Sequence, residues 1–318
     1  MTGPEAFASY IATLGRGPGR SRALTRDEAR EAFTMVLNGA PDPIQLGAFL
    51  MLLRYRGEDP DEIAGLVEAA RAFSGIAGRL PADLDWPSYG AGRTRTAPWF
   101  LLSALALARH GVRVLMHGTN AFSSSMTVEA GLAALGRAPC ADLHDAEAAL
   151  AAGNFAYLPL AAFAPGIERL LDLRRLFGLR SPVNTVSRLL DPGSAPAGVA
   201  GVFHPAYIDV HLGAAERLGR PGIVVVKGGG GEAERAGLKP LAAYRWHAGA
   251  GRSELTLPAL RAQSDVPAGD FVSAWRGDAP APVACVATVA LGLLALHPDL
   301  SPDDADREAA DIWAARLG

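Results

Sequence analysis

The sequence predicts an α/β protein, with a small N-terminal helical domain over residues 1–80 and a large α/β domain over 81–318 built on a mainly parallel central sheet. Three observations carry that reading. The first eighty residues pair helix-capping signals with helical apolar stripes. Beyond Pro81, apolar strand-like runs alternate with glycine-rich loops and helices. A β-branched run at 222–226 passes directly into four consecutive glycines. Strand, loop and helix in alternation is the pattern of a parallel sheet with crossover helices.

The elements follow in order. Thr25 with Glu28 is a capping box, in which Thr oxygen and Glu carboxylate satisfy first-turn amides. Ala32, Phe33, Val36 and Leu37 then form an apolar helical stripe. Asp42-Pro43 opens a second helix carrying Leu46, Phe49, Leu50 and Leu53, with proline tolerated in the first turn. Asp59-Pro60, with Glu62, opens a third carrying Ile63, Leu66, Val67 and Ala70. Short, closely linked helices of this kind form a bundle. Further on, residues 101–108 predict a helix ended by Gly111, 112–116 a buried strand, 125–135 a helix stopped by Gly136, and 155–160 a strand. Residues 241–275 predict an antiparallel excursion, and the chain closes with helices over 282–296 and 303–317.

Composition narrows the function classes. The 318 residues are 49% hydrophobic and 20% charged, which is globular composition with ample core. A formal net charge of -3 confines any nucleic-acid role to a local patch. Cys140 and Cys285 lack CxxC spacing and form neither a zinc site nor a disulfide framework, which suits a reducing compartment. Residues 1–10 show no basic segment followed by an apolar one, so no secretory leader is expected. The apolar stretch 284–296 falls well short of the ~20 residues of a membrane span. The expected location is the cytoplasm, with no membrane partner.

In α/β sheets ligands bind beyond the C-terminal strand ends, and four loops are expected there. The first is Ser88-Tyr89-Gly90-Ala91-Gly92-Arg93, with Arg95 behind it; it is either a phosphate-accepting backbone loop or a plain glycine-rich turn. The second is His117-Gly118-Thr119-Asn120 followed by Ser123, Ser124 and Ser125, whose hydroxyls suit an anion or cap a helix. The third runs from Arg169 through Arg174, Arg175 and Arg180 to Asn184 and Arg188, reading as anion-binding arginine forks or as a solvated helix face. The fourth is Lys227 and four glycines, then Glu232, Ala233, Glu234 and Arg235. Its lysine precedes the glycines, which excludes a P-loop and leaves an anion-accepting loop or a mobile surface one. No HExxH and no serine–histidine–aspartate order stands out; His117 and His204 are the histidines near these loops.

Taken together the four loops resemble the glycosyltransferase family that includes anthranilate phosphoribosyltransferase and pyrimidine nucleoside phosphorylase, over nearly the whole chain. The resemblance implies the nucleoside phosphorylase/phosphoribosyltransferase-type fold, with helices from about 165–190 joining the N-terminal domain. It implies phosphate or phosphosugar binding by Gly90, Gly92, Arg93, Arg95, His117, Gly118, Asn120, Ser123, Ser124, Ser125 and Arg180. The chain also departs from the family. The family's G-T-G-G-D is Tyr89-Gly90-Ala91-Gly92-Arg93 here, its N-x-S-T has no clear match, its K-H-G-N-R is Met116-His117-Gly118-Thr119-Asn120, and its magnesium-binding Asp-Glu pair is Ala233-Glu234. Magnesium takes oxygen ligands in near-octahedral geometry, and removing one electrostatic stabiliser of a transition state costs about 2–4 kcal/mol. Glu234 alone remains for the metal, so magnesium is a cofactor only if transfer activity survives.

The pattern is most similar to the divergent YbiB-type branch. That branch implies a homodimer formed through the helical domain and sequence-independent binding of single- or double-stranded nucleic acid by Arg169, Arg174, Arg175, Arg180, Arg188, Lys227 and Arg235. The alternative expectation is an active glycosyl or phosphoribosyl transferase using a phosphosugar donor and an unidentified acceptor.

Overall fold

The computed structural model describes residues 4–17, 19–76, 80–90, 97–123, 126–260 and 270–317. Helices α1 (Pro4–Gly15), α2 (Arg26–Leu37), α3 (Pro43–Arg56) and α4 (Pro60–Phe73) come first. Then follow β1 (Leu84–Ser88), α5 (Trp99–Arg109), β2 (Val114–Gly118), α6 (Val128–Ala134), α7 (Leu143–Gly153) and β3 (Phe155–Pro159). Helices α8 (Leu160–Phe163), α9 (Pro165–Asp172), α10 (Arg174–Phe177) and α11 (Val183–Arg188) lead to β4 (Ala197–Val202), α12 (Tyr207–Arg217) and β5 (Gly222–Lys227). The chain ends with the hairpin β6 (Leu241–His247) and β7 (Gly251–Leu257), then α13 (Phe271–Arg276), α14 (Val283–Leu296) and α15 (Pro302–Ala315).

The expected capping box is present on α2, and α3 and α4 carry one as well: Thr25, Asp42 and Asp59 each accept from a first-turn amide while Glu28, Gln45 and Glu62 reach back. Glu62 does more than close its own helix. Its carboxylate also accepts from the Leu24 amide at 2.7 Å and lies 3.6 Å from Arg56. The start of α4 is thereby tied to the segment that enters α2.

The sheet order is β3-β2-β1-β4-β5-β6-β7, with β1 to β5 parallel and β6 and β7 antiparallel. Side chains alternate across it. Ile223 and Val225 of β5 join the apolar cluster of α1–α4, α9, α11 and α12. Val224 and Val226 join α5, α14 and α15 on the other face. Helices on both faces of a mainly parallel sheet are the expected architecture.

Succession in the chain turns back between β1 and β4, and the strands separate there. β1 runs beside β2 through Ser88 but pairs with β4 only at Leu84 and Asp85. Pro87 supplies no N–H for a ladder. The crevice that opens beyond this point is where ligands bind in open α/β sheets.

The glycines of β4 explain why that strand looks so weak in the sequence. A Cβ on Gly198 would lie 2.1 Å from the Arg220 guanidinium, and one on Gly201 would lie 2.0 Å from the Glu232 backbone. Both glycines let neighbouring chain lie flat against the sheet. One expected boundary is corrected: the helix placed at 125–135 starts at Val128, capped by Thr127. Both cysteines are buried free thiols. Among the described residues, no helix is long and apolar enough to cross a membrane.

Candidate functional site

Two hollows lie along the crevice. The first is lined by Ser88 and Gly90 at the end of β1, Thr119, Asn120 and Ser123 after β2, and Glu232 after β5. Gly230 and Gly231, at φ 65° and 86°, turn the chain so that Glu232 faces back over the sheet. The Glu232 carboxylate is buried, and its Oε1 accepts from the Gly90 amide at 2.5 Å and from the Ser88 hydroxyl at 3.2 Å. Two donors on the first expected loop thus already hold an oxygen of the protein's own.

The second hollow lies between the helical bundle and the sheet. Arg54 comes from the end of α3, Glu58 from the α3–α4 turn, Arg180 and Thr185 from the α10–α11 segment, Phe203 from the end of β4, and Tyr207 and His211 from α12. Glu58 accepts from the Thr185 hydroxyl at 2.6 Å and the Tyr207 hydroxyl at 3.4 Å, with Arg54 at 3.7 Å. Burial pushes the Glu58 carboxyl up to about 7, against the opposing pull of Thr185 and Arg54. His211 donates from Nδ1 to the Tyr207 carbonyl at 2.8 Å if that nitrogen carries its proton, which leaves Nε2 as an acceptor. Burial first, and then Arg188, lower its pKa to about 3, so the ring is neutral.

Positive charge collects at the mouth of this hollow. Arg180 sits 5.6 Å from the Phe203 ring centroid. Burial and the successive repulsions of Arg188, Arg174 and Arg54 push its pKa down to about 10. Arg174 and Arg175 stack over Phe122, at 4.9 and 6.0 Å, so the arginine stretch is clamped to the loop after β2.

Several expected residues lie elsewhere. His117 is fully buried: its Nδ1 is 2.7 Å from the Tyr89 hydroxyl, and its Nε2 is 3.1 Å from Asp85. Asp85 is bridged in turn to Arg220 at 2.8 Å. Burial pushes the Asp85 carboxyl up, but Arg220 and His117 together outweigh it and hold it below the usual carboxylate range. His117 therefore braces the floor of the crevice and lines neither hollow, unlike the exposed loop position expected of it. Gly118 ends β2, and a Cβ there would meet the Ser88 carbonyl at 1.9 Å.

Arg188 and Arg235 are corrected as well. Arg188 is buried and donates to the carbonyls of Asn184 at 2.7 Å and Tyr89 at 2.8 Å. Arg235 is buried and bonded to Asp306 at 2.5 Å and the Pro258 carbonyl at 2.6 Å. Both guanidinia are committed to partners within the protein, although Arg188 also borders the second hollow. Arg169, Arg175 and Lys227 are exposed, and Arg174 and Arg180 half-buried. Gly92, Arg93, Arg95, Ser124 and Ser125 lie outside the described residues.

Among the described residues, those at the expected metal position do not complete a magnesium–diphosphate site. Ala233 offers no ligand, Glu234 accepts from the Phe100 amide at the start of α5 at 3.3 Å, and Glu232 is engaged by Gly90 and Ser88. Among the described residues no three His, Cys, Asp or Glu side chains converge as a metal would need. Glu232, Glu58 and His211 were not anticipated from the sequence. Of these only Glu232, directly behind four glycines, carried a local signal.

Residues 8–74 match the family model described as "Glycosyl transferase family, helical bundle domain". The anthranilate phosphoribosyltransferase of Oleidesulfovibrio alaskensis is 30% identical over 234 residues, covering 73% of this chain and 70% of that protein. The chain belongs to the anthranilate phosphoribosyltransferase-like glycosyltransferase family. The enzyme of Methylocella silvestris is 33% identical over 71% of this chain, and the Escherichia coli protein YbiB 30% identical over 64% of it. The match spans 64% of the length of each of these last two, just under two thirds. Among solved structures of the family, the Thermus thermophilus anthranilate phosphoribosyltransferase superposes with a TM-score of 0.80 at 25% identity, covering 98% of this chain and 95% of that one.

Proposed function

We propose that this chain is a member of the family that binds a phosphate-rich ligand, nucleic acid above all, along the arginine edge of its cleft, and that it has lost magnesium-dependent phosphoribosyl transfer. One observation carries the reading: Arg180 stands half-buried at the second hollow, 5.6 Å from the Phe203 ring centroid, where burial first, and then the repulsion of Arg188, Arg174 and Arg54, push its pKa down to about 10. An anion relieves that repulsion. Phe203, 46% exposed beside Arg180, offers a face on which a base can stack. Arg169, Arg174, Arg175, Arg180 and Lys227 remain the contacts after Arg188 and Arg235 are withdrawn. The metal-site misfit removes the clamp that a diphosphate leaving group needs. The test is fluorescence anisotropy with a labelled single-stranded oligonucleotide across a salt series. Binding that weakens steeply with salt is expected, and binding absent at low salt or indifferent to salt defeats the reading.

A second reading is phosphosugar transfer. It is favoured by Gly90, Asn120 and Ser123 sharing one hollow in the order the family uses, and by the relatives named above. Magnesium-dependent consumption of phosphoribosyl pyrophosphate by the purified protein would establish it over the first.

We further propose a homodimer formed through the helical domain. Ile44 and Tyr55 of α3 are 83% and 91% exposed, Leu176 and Leu179 are exposed too, and Leu179 lines one hollow with Tyr55. Apolar side chains grouped on one face are the mark of a protein interface.

A further inference from the structure

We propose that Glu232 is a resident anion: its carboxylate fills a small-oxyanion site formed by the Gly90 amide and the Ser88 hydroxyl, and so bars free phosphate and diphosphate from the hollow between β1, β2 and β5. The inference is independent of nucleic-acid binding at the arginine edge, which is a separate surface.

Donors that converge on one charged oxygen define an anion site whatever supplies that oxygen. Here the Gly90 amide approaches Glu232 Oε1 to 2.5 Å, and the Ser88 hydroxyl lies at 3.2 Å from the same atom. The approach requires glycine at 90, since a Cβ there would lie 2.2 Å from that oxygen. The carboxylate is held from behind as firmly as in front. The Glu232 backbone lies against Gly201, and a Cβ on Gly228 would meet its carbonyl at 1.7 Å. The backbone that carries the side chain is therefore packed against β4 and its own loop.

Charge gives the site its selectivity. Arg188 is buried directly beneath, its guanidinium 3.1 Å from where a Cβ on Gly231 would stand. Glu232 is the carboxylate whose field acts on that arginine. A buried cation needs a compensating anion, and Glu232 supplies it from within the chain. A second anion would meet a carboxylate where it needs a donor. Among the described residues the rest of the wall, Thr119, Asn120, Ser123, Thr127 and Val128, is neutral and admits hydroxyl-bearing groups. The residue thus determines specificity: it turns an oxyanion site into one that rejects oxyanions.

The experiment is isothermal calorimetry with inorganic pyrophosphate and, separately, inorganic phosphate, at matched ionic strength and with and without magnesium. It uses wild-type protein, Glu232→Ala and Glu232→Gln, with thermal melting as the check on folding. The wild-type value sets the background due to the arginine edge. Glu232→Ala should bind pyrophosphate at least about tenfold more tightly than wild type, and pyrophosphate should raise its melting temperature by more than it raises that of wild type. Glu232→Gln keeps an oxygen over the Gly90 amide but removes the charge, and it carries the test if the alanine variant does not fold. It too should bind pyrophosphate more tightly than wild type. Equal affinities in wild type and the folded variants, or wild-type binding that magnesium strengthens to the level of the variants, would overturn the proposal. Oligonucleotide titrations of wild type are a separate measurement, so the two inferences can fail separately.

Discussion

Thr185 donates its hydroxyl hydrogen to Glu58 at 2.6 Å, joining the turn between α3 and α4 to the helix that follows the arginine stretch. The position of Arg180 relative to Arg54 depends on that bond, because each residue of the pair lies within five positions of one of these arginines. Glu58 is also buried and shifted up to about 7 from an ordinary value of 4.5, which makes its effect on stability measurable.

A carboxyl with a raised folded-state pKa binds its proton more tightly in the native than in the unfolded chain. The stability it confers is full below the unfolded value and is lost as pH rises through the folded one, from about 4.5 to about 7. His211 acts in the opposite sense. Its pKa falls from 6.5 to about 3, so its contribution is full above 6.5 and is lost as pH falls towards 3. Glu58→Gln should flatten the decline in urea-unfolding stability between pH 5 and 7, by up to about 3 kcal/mol across the window. His211→Asn should flatten the loss on the acid side. A Glu58→Gln profile that parallels wild type would contradict the assignment.

Arg174→Ala and Arg175→Ala together should weaken oligonucleotide binding at low salt and lower the slope of log affinity against log salt by about 1.4 for a single strand. Arg235→Ala should leave that slope unchanged and instead lower the melting temperature, because it abandons Asp306. Anisotropy and thermal melting on the same preparations separate the two effects.

Asp85 and Arg220 form a buried pair at 2.8 Å, with His117 on the other carboxylate oxygen at 3.1 Å. Asp85→Ala leaves the buried Arg220 guanidinium only Asp191, at 3.8 Å, as a counter-charge and should cost about 3 kcal/mol in urea unfolding. Gly198→Ala drives a methyl into the same guanidinium and should also destabilise. If Asp85→Ala is neutral, the brace beneath the crevice has been misread.

Tyr55→Glu places a charge on the exposed apolar face of α3. Light scattering should show a dimer for wild type and a monomer for the variant at micromolar concentration, with the far-ultraviolet circular dichroism of the two alike. A wild-type monomer would remove the proposed interface.

The helical bundle was legible because its signals are local: Thr25, Asp42 and Asp59 stand three residues before Glu28, Gln45 and Glu62, and nothing distant alters those caps. β5 was legible because Ile223 to Val226 is buried on both faces and so is continuously apolar. β1 and β4 were not. Pro87 and Asp85 disguise β1, and Gly198 and Gly201 dilute β4, in each case for a tertiary reason: the crevice, Arg220 and the Glu232 segment. The site shows the same division. Gly90, Asn120, Ser123 and Arg180 were legible as loop residues with donors. The burial of His117, Arg188 and Arg235 was not, since sequence spacing does not tell which way a side chain turns at a strand end. Glu58 and His211 meet only when α3 and α12 are brought together, a meeting of residues more than a hundred positions apart.

Glu62 serves two helices with one carboxylate, receiving the amide of Leu24 ahead of α2 as well as that of Asp59 ahead of α4. Neither helix can fray at its beginning without releasing a buried acceptor that the other also uses. The pair should therefore melt in a single step, and limited proteolysis should find no intermediate in which one has opened while its neighbour resists.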